Sequence, residues 1–370
     1  MKISDIKVYK VKPRWIFVKV LTDEGITGWG EMISGTKTET VVAGAYEMGK
    51  KLIGRDPFEI ERLWQEMHRS FFRGGPINGT IISGLEMALW DIKGKALNLP
   101  VYELLGGAAR DRIRVYSWIG GDRPSDVAEQ AQARVDKGFT AIKMNATSEL
   151  HYIDSYNKVQ AVVDRVASIR DQVGDQLEIG IDFHGRVHRP MAKVLAHALE
   201  PYHPMFLEEV VLPENWDSFD DIAREVSIPL ATGERLYTRW DFKNLFRQGA
   251  IDIVQPDVAL CGGILETRKI AAMAEAFDMA VAPHAPYGPV SLAATLQVDA
   301  CTPNVFIQEQ SLGIHYNRGF DLLDFVKNKE IFQYKDSYVQ LPKGPGLGID
   351  MDEDKIKEVA QDCLLYTSPS

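Results

Sequence analysis

An α/β barrel joined to a separate α+β unit is the fold class that this sequence predicts. Two observations predict it. Between residues 177 and 309, apolar stretches end in Asp182, Glu208, Glu234, Asp257, His284 and Glu309, at spacings of 26, 26, 23, 27 and 25 residues. Helix-like segments separate them, the period of successive strand–helix units whose active site lies at the C-terminal strand ends. The first 32 residues instead alternate apolar and polar side chains, "ISDIKVYKV" then "WIFVKVLTDEGITGWGEM", which is the pattern of antiparallel strands around an Asp23-Glu24-Gly25 turn.

Taken in order, residues 39–53 and 57–70 carry helical patterns, with Asp56-Pro57 opening the second. The loop "FRGGPING" interrupts regular structure with its glycines and proline. "TIISGLEMALWDIKGKALNLP" is a long amphipathic helix ending before Pro100. The barrel starts with "IRVYSWI", followed by the helix "DVAEQAQARVDKG" with its terminal Gly138 and the strand "TAIKMN". A helix over 153–172 leads into "LEIGIDF", and the spaced strands follow. "VKNKEIFQYKDSYVQLPKGPGLGIDMDEDKI" reads as an extended segment returning to the first unit. The division expected is 1–112 for the α+β unit, completed by 319–363, and 113–318 for the barrel. The last residues, 364–370, fit poorly as a domain end and read as a non-native tail.

Length and composition set the class. A chain of 370 residues with 45% hydrophobic and 25% charged side chains can bury a large core. No apolar run is long enough to span a membrane, and the N-terminus is neither a signal nor a transit peptide, so a cytoplasmic location is expected. Cys261, Cys301 and Cys363 form no pair motif, which argues against a disulfide framework and a zinc–thiolate site. The net charge of −10 argues against nucleic acid and anionic membranes as partners. It leaves a small anionic substrate open, because a bound cation overrides the mean field locally.

The chemistry sits at the strand ends. Neighbouring parallel strands lie about 4.8 Å apart, so Asp182, Glu208 and Glu234 at equal height would crowd one point. Like charges that close need a cation between them, and an all-oxygen ligand set favours magnesium over zinc. Asp257 on the strand before His284 would accept from one imidazole nitrogen and raise the basicity of the other. His184, two residues after Asp182, shares its face, lying beside the cation on the flank opposite His284. The alternative for His184 is a partner for a carboxylate. Lys143 and Asn145 share the inward face of "IKMN"; Lys143 donates to a substrate oxygen or forms a surface ion pair. Glu309 donates to a developing oxyanion if protonated, or pairs with Lys143 or Arg235. Glu209 is expected to face away from Glu208 as a structural residue, and Arg186, His188 and Arg239 to be surface loop residues, with a contact to a substrate hydroxyl as their alternative. Gly262-Gly263 reads as a tight turn into a helix.

With these residues in view, the chain resembles the enolase superfamily, specifically its mandelate racemase subgroup. The resemblance runs from the N-terminal strands through "MALWDIKGKALNLPVYELLGG" to the "QPD" and "APH" strand ends. "YSWIGGDRP", "DFHGR", "QEQSLGIHYN" and "LLDFVKNKE" look closest to a sugar-acid dehydratase branch of it. The resemblance implies an α+β capping domain on a modified TIM-type (β/α)7β barrel. It implies Mg2+ held by Asp182, Glu208 and Glu234, an Asp257–His284 dyad as base, and His184 as the acid that assists departure of hydroxide. An aldonate substrate and a homo-oligomer assembled through capping domains are expected on the same ground. Val210 stands where the family usually has proline, and Asn145 where racemases carry a second lysine, which speaks against mandelate-type racemisation. Epimerisation at C2, with His184 as second base, is the rival reaction on this fold. A barrel kept only for binding would be expected to have lost part of the constellation, and every position is present. Stereochemistry is expected to be read by capping loops near 15–17 and 71–76.

Overall fold

The computed structural model describes residues 1–33, 35–69, 73–120, 126–145, 148 and 150–360. The N-terminal alternation forms an antiparallel meander of β1 (Ile3–Val11), β2 (Trp15–Thr22) and β3 (Thr27–Met32). Helices α1 (Thr38–Lys50), α2 (Ile60–His68), α3 (Pro76–Leu97) and α4 (Val101–Leu104) follow. Two boundaries differ from the expectation. The second helix starts at Ile60, three residues beyond Pro57, after a turn in which Asp56 accepts from the Phe58 amide at 2.9 Å. The third starts at Pro76, inside the stretch expected to be loop, because proline suits the first helical turn. It is also buried nearly all round, with residues 79–92 inside, so it is a central helix and not an amphipathic one. Gly79 is tolerated there because a Cβ would collide with the Leu260 carbonyl across the unit boundary.

The barrel is built from β4 (Arg112–Ile119), α5 (Val127–Asp136), β5 (Ala141–Asn145), α6 (Tyr156–Val173), β6 (Glu178–Asp182) and α7 (Arg189–Leu199). It continues with β7 (Phe206–Glu208), α8 (Phe219–Ala223), β8 (Leu230–Thr232), α9 (Arg239–Gln248) and β9 (Ile253–Val254). It ends with α10 (Ile264–Glu275), β10 (Ala280–Val281), α11 (Pro289–Cys301) and β11 (Gln308–Glu309). The strands pair in parallel in chain order; β11 returns to β4, and a Val281–Val305 bridge links the β10 side, so the sheet closes. Seven strand–helix units and a last strand make a (β/α)7β barrel.

The two-residue period of a strand decides what faces inward. Ala141 precedes Lys143 by two, Gly180 precedes Asp182, Phe206 precedes Glu208 and Ile307 precedes Glu309. Tyr116, Ala141, Phe206, Ala231, Ile253, Ala282 and Ile307 form one buried cluster, the apolar plug of the barrel. The charged side chains are the next step along the same inward rows. A second apolar cluster lies between the strands and the outer helices.

The C-terminal stretch is less extended than its pattern implied. It holds a hairpin, β12 (Tyr334–Lys335) and β13 (Tyr338–Gln340), and a helix, α12 (Glu353–Val359). The hairpin turns at Asp336 and Ser337, both at positive φ, without the glycine that marks such turns in sequence. β13 pairs antiparallel with the start of β4, while Glu353 accepts from Tyr9 at 2.9 Å and pairs with Lys19 at 2.6 Å on the meander. Residues 361–370, with Cys363 and the tail, lie outside the described residues.

Carboxylates of the N-terminal unit cap barrel helices. Glu86 on α3 accepts from the Ile264 and Leu265 amides at 2.7 and 2.9 Å, at the start of α10. Gly263 must be glycine because a Cβ would strike the Glu86 carboxylate. Glu31 on β3 does the same for α11, accepting from Gly288 and Ser291 at 2.7 and 3.0 Å. Burial pushes the Glu86 carboxyl up to about 8. The folded chain therefore keeps a proton that an unfolded carboxyl, with its pKa of about 4.3, releases. That contribution to stability is complete below about pH 4 and falls as pH rises, until it is lost above about pH 8. Glu86→Gln is expected to remove this slope. Between pH 5 and 8 the unfolding free energies of wild type and variant should drift apart by on the order of a few kcal/mol. Parallel urea-denaturation series across that range would contradict it.

Candidate active site

The inward rows deliver their polar ends to one place. Asp182 and Glu208 are direct neighbours in the β6–β7 register, and Asn145 lies opposite Asp182 on the other side. Glu234 is not at equal height: Glu208 pairs with Ala231, so Glu234 stands three residues further on, past the end of β8. The turn at Gly233 brings it back, and one oxygen each of Asp182, Glu208 and Glu234 lie within 4.8 Å of one another. Asp182 and Glu208 are buried and Glu234 is nearly so.

The remaining predicted residues surround this trio. Lys143 is fully buried, so the surface ion pair is ruled out; its Nζ lies 2.6 Å from Glu208 and 3.1 Å from Glu309. Glu309 thus takes the pairing alternative, with Lys143 and not Arg235. It also accepts from Trp118 Nε1 at 2.5 Å and from the Ala285 amide at 2.8 Å. Asp257 and His284 form a parallel bridge, and His284 Nδ1 lies 2.7 Å from Asp257 Oδ2. That leaves His284 Nε2 facing the trio, 3.2 Å from Glu234 and 3.9 Å from Glu309.

His184 departs from simple alternation. Its backbone is left-handed, φ +52°, and both its amide (2.6 Å) and its Nδ1 (3.0 Å) approach the Asp182 carboxylate. The strand ends at Asp182, and this carboxylate-centred turn, not the strand pleat, aims the imidazole. Glu209, also at positive φ, accepts from Thr232 and from Arg235 Nε at 2.8 Å, and Arg235 Nη2 pairs with Glu234 at 3.1 Å. It holds the arginine that holds Glu234. Arg239 is no surface residue: it pairs with Glu266 at 2.9 Å and lies over the rings of Trp64 and Trp240. His188 stacks on Tyr152.

Negative charge is in excess here: Asp182, Glu208, Glu209, Glu234, Asp257 and Glu309 face the permanent cations Lys143 and Arg235. The titration behaviour follows. Burial, with Asp182, Glu234 and Glu309 nearby, pushes Glu208 up to about 8 against the pull of Lys143. Burial favours the neutral His284 ring, but Glu234, Glu309 and Asp257 outweigh it and raise the imidazole to about 10. His184 also rises, burial being outweighed by Asp182. Burial works against the Lys143 ammonium too, but Glu208 and Glu309 hold it protonated. With the chain's own groups alone, both histidines therefore lean the same way, and the opposite protonation states needed for an acid and a base require added positive charge. Three clustered carboxylates with no thiolate or imidazole beside them in the ligand set fit a hard divalent cation.

Several site residues carried little sequence signal. Gln255 donates to Glu208 at 2.7 Å; it lies two residues before Asp257, where a period of two would have found it. Trp118, two after Tyr116, was equally accessible to that rule. Trp15, Ile16 and Phe17, expected at the mouth, are buried in the core, with Trp15 and Phe17 against Phe325. Phe71 and Phe72 lie outside the described residues. Among the described residues no helix is long and apolar enough to cross a membrane.

Comparison with known proteins agrees with this geometry. Residues 8–106 match the mandelate racemase / muconate lactonizing enzyme N-terminal domain, and residues 126–355 match the enolase C-terminal domain-like family. The chain is 50% identical over its full length to the D-galactonate dehydratase of Variovorax paradoxus, spanning 97% of that protein. It is 49% identical over its full length to that of Cronobacter sakazakii, again spanning 97%. An enolase-superfamily member from Salmonella Typhimurium superposes with a TM-score of 0.89 at 31% identity, over 97% of this chain and 98% of that one. A mandelate racemase/muconate lactonizing enzyme-like protein from Roseovarius sp. TM1035 does so at 0.89 and 33%, over 97% and 95%.

Proposed function

The chain belongs to the mandelate racemase / muconate lactonizing enzyme family of the enolase superfamily, and from that premise we propose that it dehydrates a sugar acid, D-galactonate first among them. The observation that carries the reading is the carboxylate trio with a His–Asp pair on one flank and a His–carboxylate pair on the other. Residues 113–318 are read as the catalytic barrel and 1–112 with 319–363 as its capping domain.

The metal is read as Mg2+, held by Asp182, Glu208 and Glu234, where it would attract the substrate carboxylate and offset the excess negative charge. The chain's residues do the rest. His284 takes the C2 proton at Nε2 while Asp257 fixes the tautomer from Nδ1. His184, kept protonated by Asp182, gives a proton to the 3-hydroxyl, which leaves as water. Lys143, fixed between Glu208 and Glu309, is placed to stabilise charge developing on the substrate carboxylate. The enol so formed gives up its hydroxyl proton as C3 gains one, and becomes the 2-keto-3-deoxy acid. Asn145, neutral where a second basic lysine would serve racemisation, favours elimination over exchange of configuration at C2. A homo-oligomer and a cytoplasmic location belong to the same reading; light scattering would decide the first.

The test is turnover of galactonate, gluconate, mannonate and arabinonate in D2O, with magnesium and with chelator. Magnesium-dependent accumulation of keto acid is expected. Return of deuterated substrate in both C2 configurations would mean epimerisation instead, and no turnover of any acid would end the reading.

A further inference from the structure

We propose that Arg14, in the turn between β1 and β2, is a specificity-determining residue that donates to a hydroxyl of the sugar acid beyond C3. The proposal rests on the dehydratase reading above and adds the residue that measures the far end of the substrate.

Arg14 belongs to a turn whose neighbours Lys12 and Pro13 are exposed, yet its own side chain turns inward and is half-buried. Its Nε and Nη2 donate to Asn317 Oδ1 at 3.2 and 3.1 Å, and Nη2 also donates to the Pro286 carbonyl. The guanidinium lies 5.4 Å from the Tyr287 ring centre and 5.2 Å from that of Tyr316. The Tyr287 ring is in turn 5.7 Å from His284, edge to face. One aromatic ring therefore separates this cation from the base. Among the described residues, Nη1 has no hydrogen-bond partner. An arginine held by two polar groups and two rings, with one donor edge left over, is preorganised for a further acceptor.

The shape of the barrel says where such an acceptor comes from. The carboxylate end of an aldonate belongs at the acidic trio, and C2 belongs at His284 Nε2. Below that layer the barrel is plugged by Tyr116, Phe206 and Ile307, so the polyol cannot run downward. It must extend outward, toward the N-terminal unit, and on the His284 side it meets Tyr287 and Arg14. A neutral polyol offers hydroxyl oxygens, and a guanidinium edge is a donor without an acceptor of its own. A site built to bond a hydroxyl rejects an analogue that lacks it.

Arg14 also touches the loop that carries the base, through Pro286, so a purely structural role has to be separated from recognition. The experiment compares wild type, Arg14→Ala and Arg14→Lys on D-galactonate. The acids that lack C6, and C5 with C6, at unchanged C2 and C3 configuration serve as competitors of turnover. For Arg14→Ala the galactonate KM is expected to rise about 10- to 100-fold, as for loss of a hydrogen bond from a charged group, with kcat little changed. The inhibition constant of the truncated acid that lacks the bonded hydroxyl should be the same for wild type and variant. Arg14→Lys keeps a single cationic donor and should recover part of the KM; it carries the test if the alanine variant does not fold. A fall confined to kcat, or equal weakening for every chain length, would overturn the role in recognition and leave Arg14 a support for the His284 loop. Failure of the wild type to turn over galactonate or any other aldonate would instead sink the dehydratase reading, and this proposal with it.

Discussion

Replacement of His284 by asparagine is expected to abolish exchange of the substrate's C2 proton with solvent. The imidazole is the group whose free nitrogen faces the trio: Nδ1 is committed to Asp257 at 2.7 Å, and Nε2 lies 3.2 Å from Glu234. Asparagine keeps a polar contact to Asp257 and fills most of the space, but no atom remains that takes a proton near neutral pH. A general base is worth about 10²–10⁴ in rate, and the proton α to a carboxylate is too weakly acidic to leave unaided, so the loss should lie at or above the upper end. Substrate binding, assigned in the proposed mechanism to the trio and the N-terminal unit, should persist, so KM should change far less than kcat. Proton NMR of galactonate in D2O with magnesium measures both exchange and keto-acid formation. Exchange at the wild-type rate would remove His284 from the mechanism.

The barrel was legible because its strand ends repeat: an apolar run followed by one charged residue every 23–27 residues is a signal that no single position carries. The same period of two along each strand that places Lys143 and Glu309 inward would also have placed Gln255 and Trp118. What stayed illegible has physical reasons. Glu234 reaches the trio from three residues beyond the register of Glu208, through a turn at Gly233 that pairing arguments cannot anticipate. His184 adopts a left-handed backbone without being glycine, so a turn on the Asp182 carboxylate, and not the pleat, sets where its imidazole points. Burial decided between the two alternatives left open for Lys143: the side chain is wholly enclosed, which removes the surface ion pair, and its two carboxylate partners come from strands 65 and 166 residues away in sequence. Arg14 is the extreme case. Nothing in "KVKPRW" distinguishes it from an ordinary turn arginine, because Asn317 and Pro286, its partners, lie some 270 residues or more further on.

Glu208→Gln is expected to cost the chain its divalent cation, and with it all turnover. Glu208 is the central member of the trio, fully buried, with one oxygen on Lys143 at 2.6 Å and the other on Gln255 at 2.7 Å. The amide has the same shape, so the packing survives, but the site loses a negative charge while Lys143 remains beside it. A buried cation is held by the charge of its ligands more than by their positions, and here one carboxylate of three is removed and an ammonium is left less compensated. Magnesium affinity measured by calorimetry should fall by on the order of 10²-fold or more, the scale of a lost close charge pair in a poorly solvated site. Raising magnesium should restore little activity, since the Lys143 ammonium, still 3.1 Å from Glu309, is left with one compensating carboxylate fewer beside the place where charge must be stabilised. The thermal signature is independent of chemistry: a magnesium concentration that just fills the wild-type site is expected to raise its melting temperature by mass action, and the same concentration should shift the variant far less. A variant that binds magnesium as tightly as wild type, with the same thermal shift, would show that the cation is held elsewhere and that the trio is a structural cluster sustained by Lys143 and Arg235.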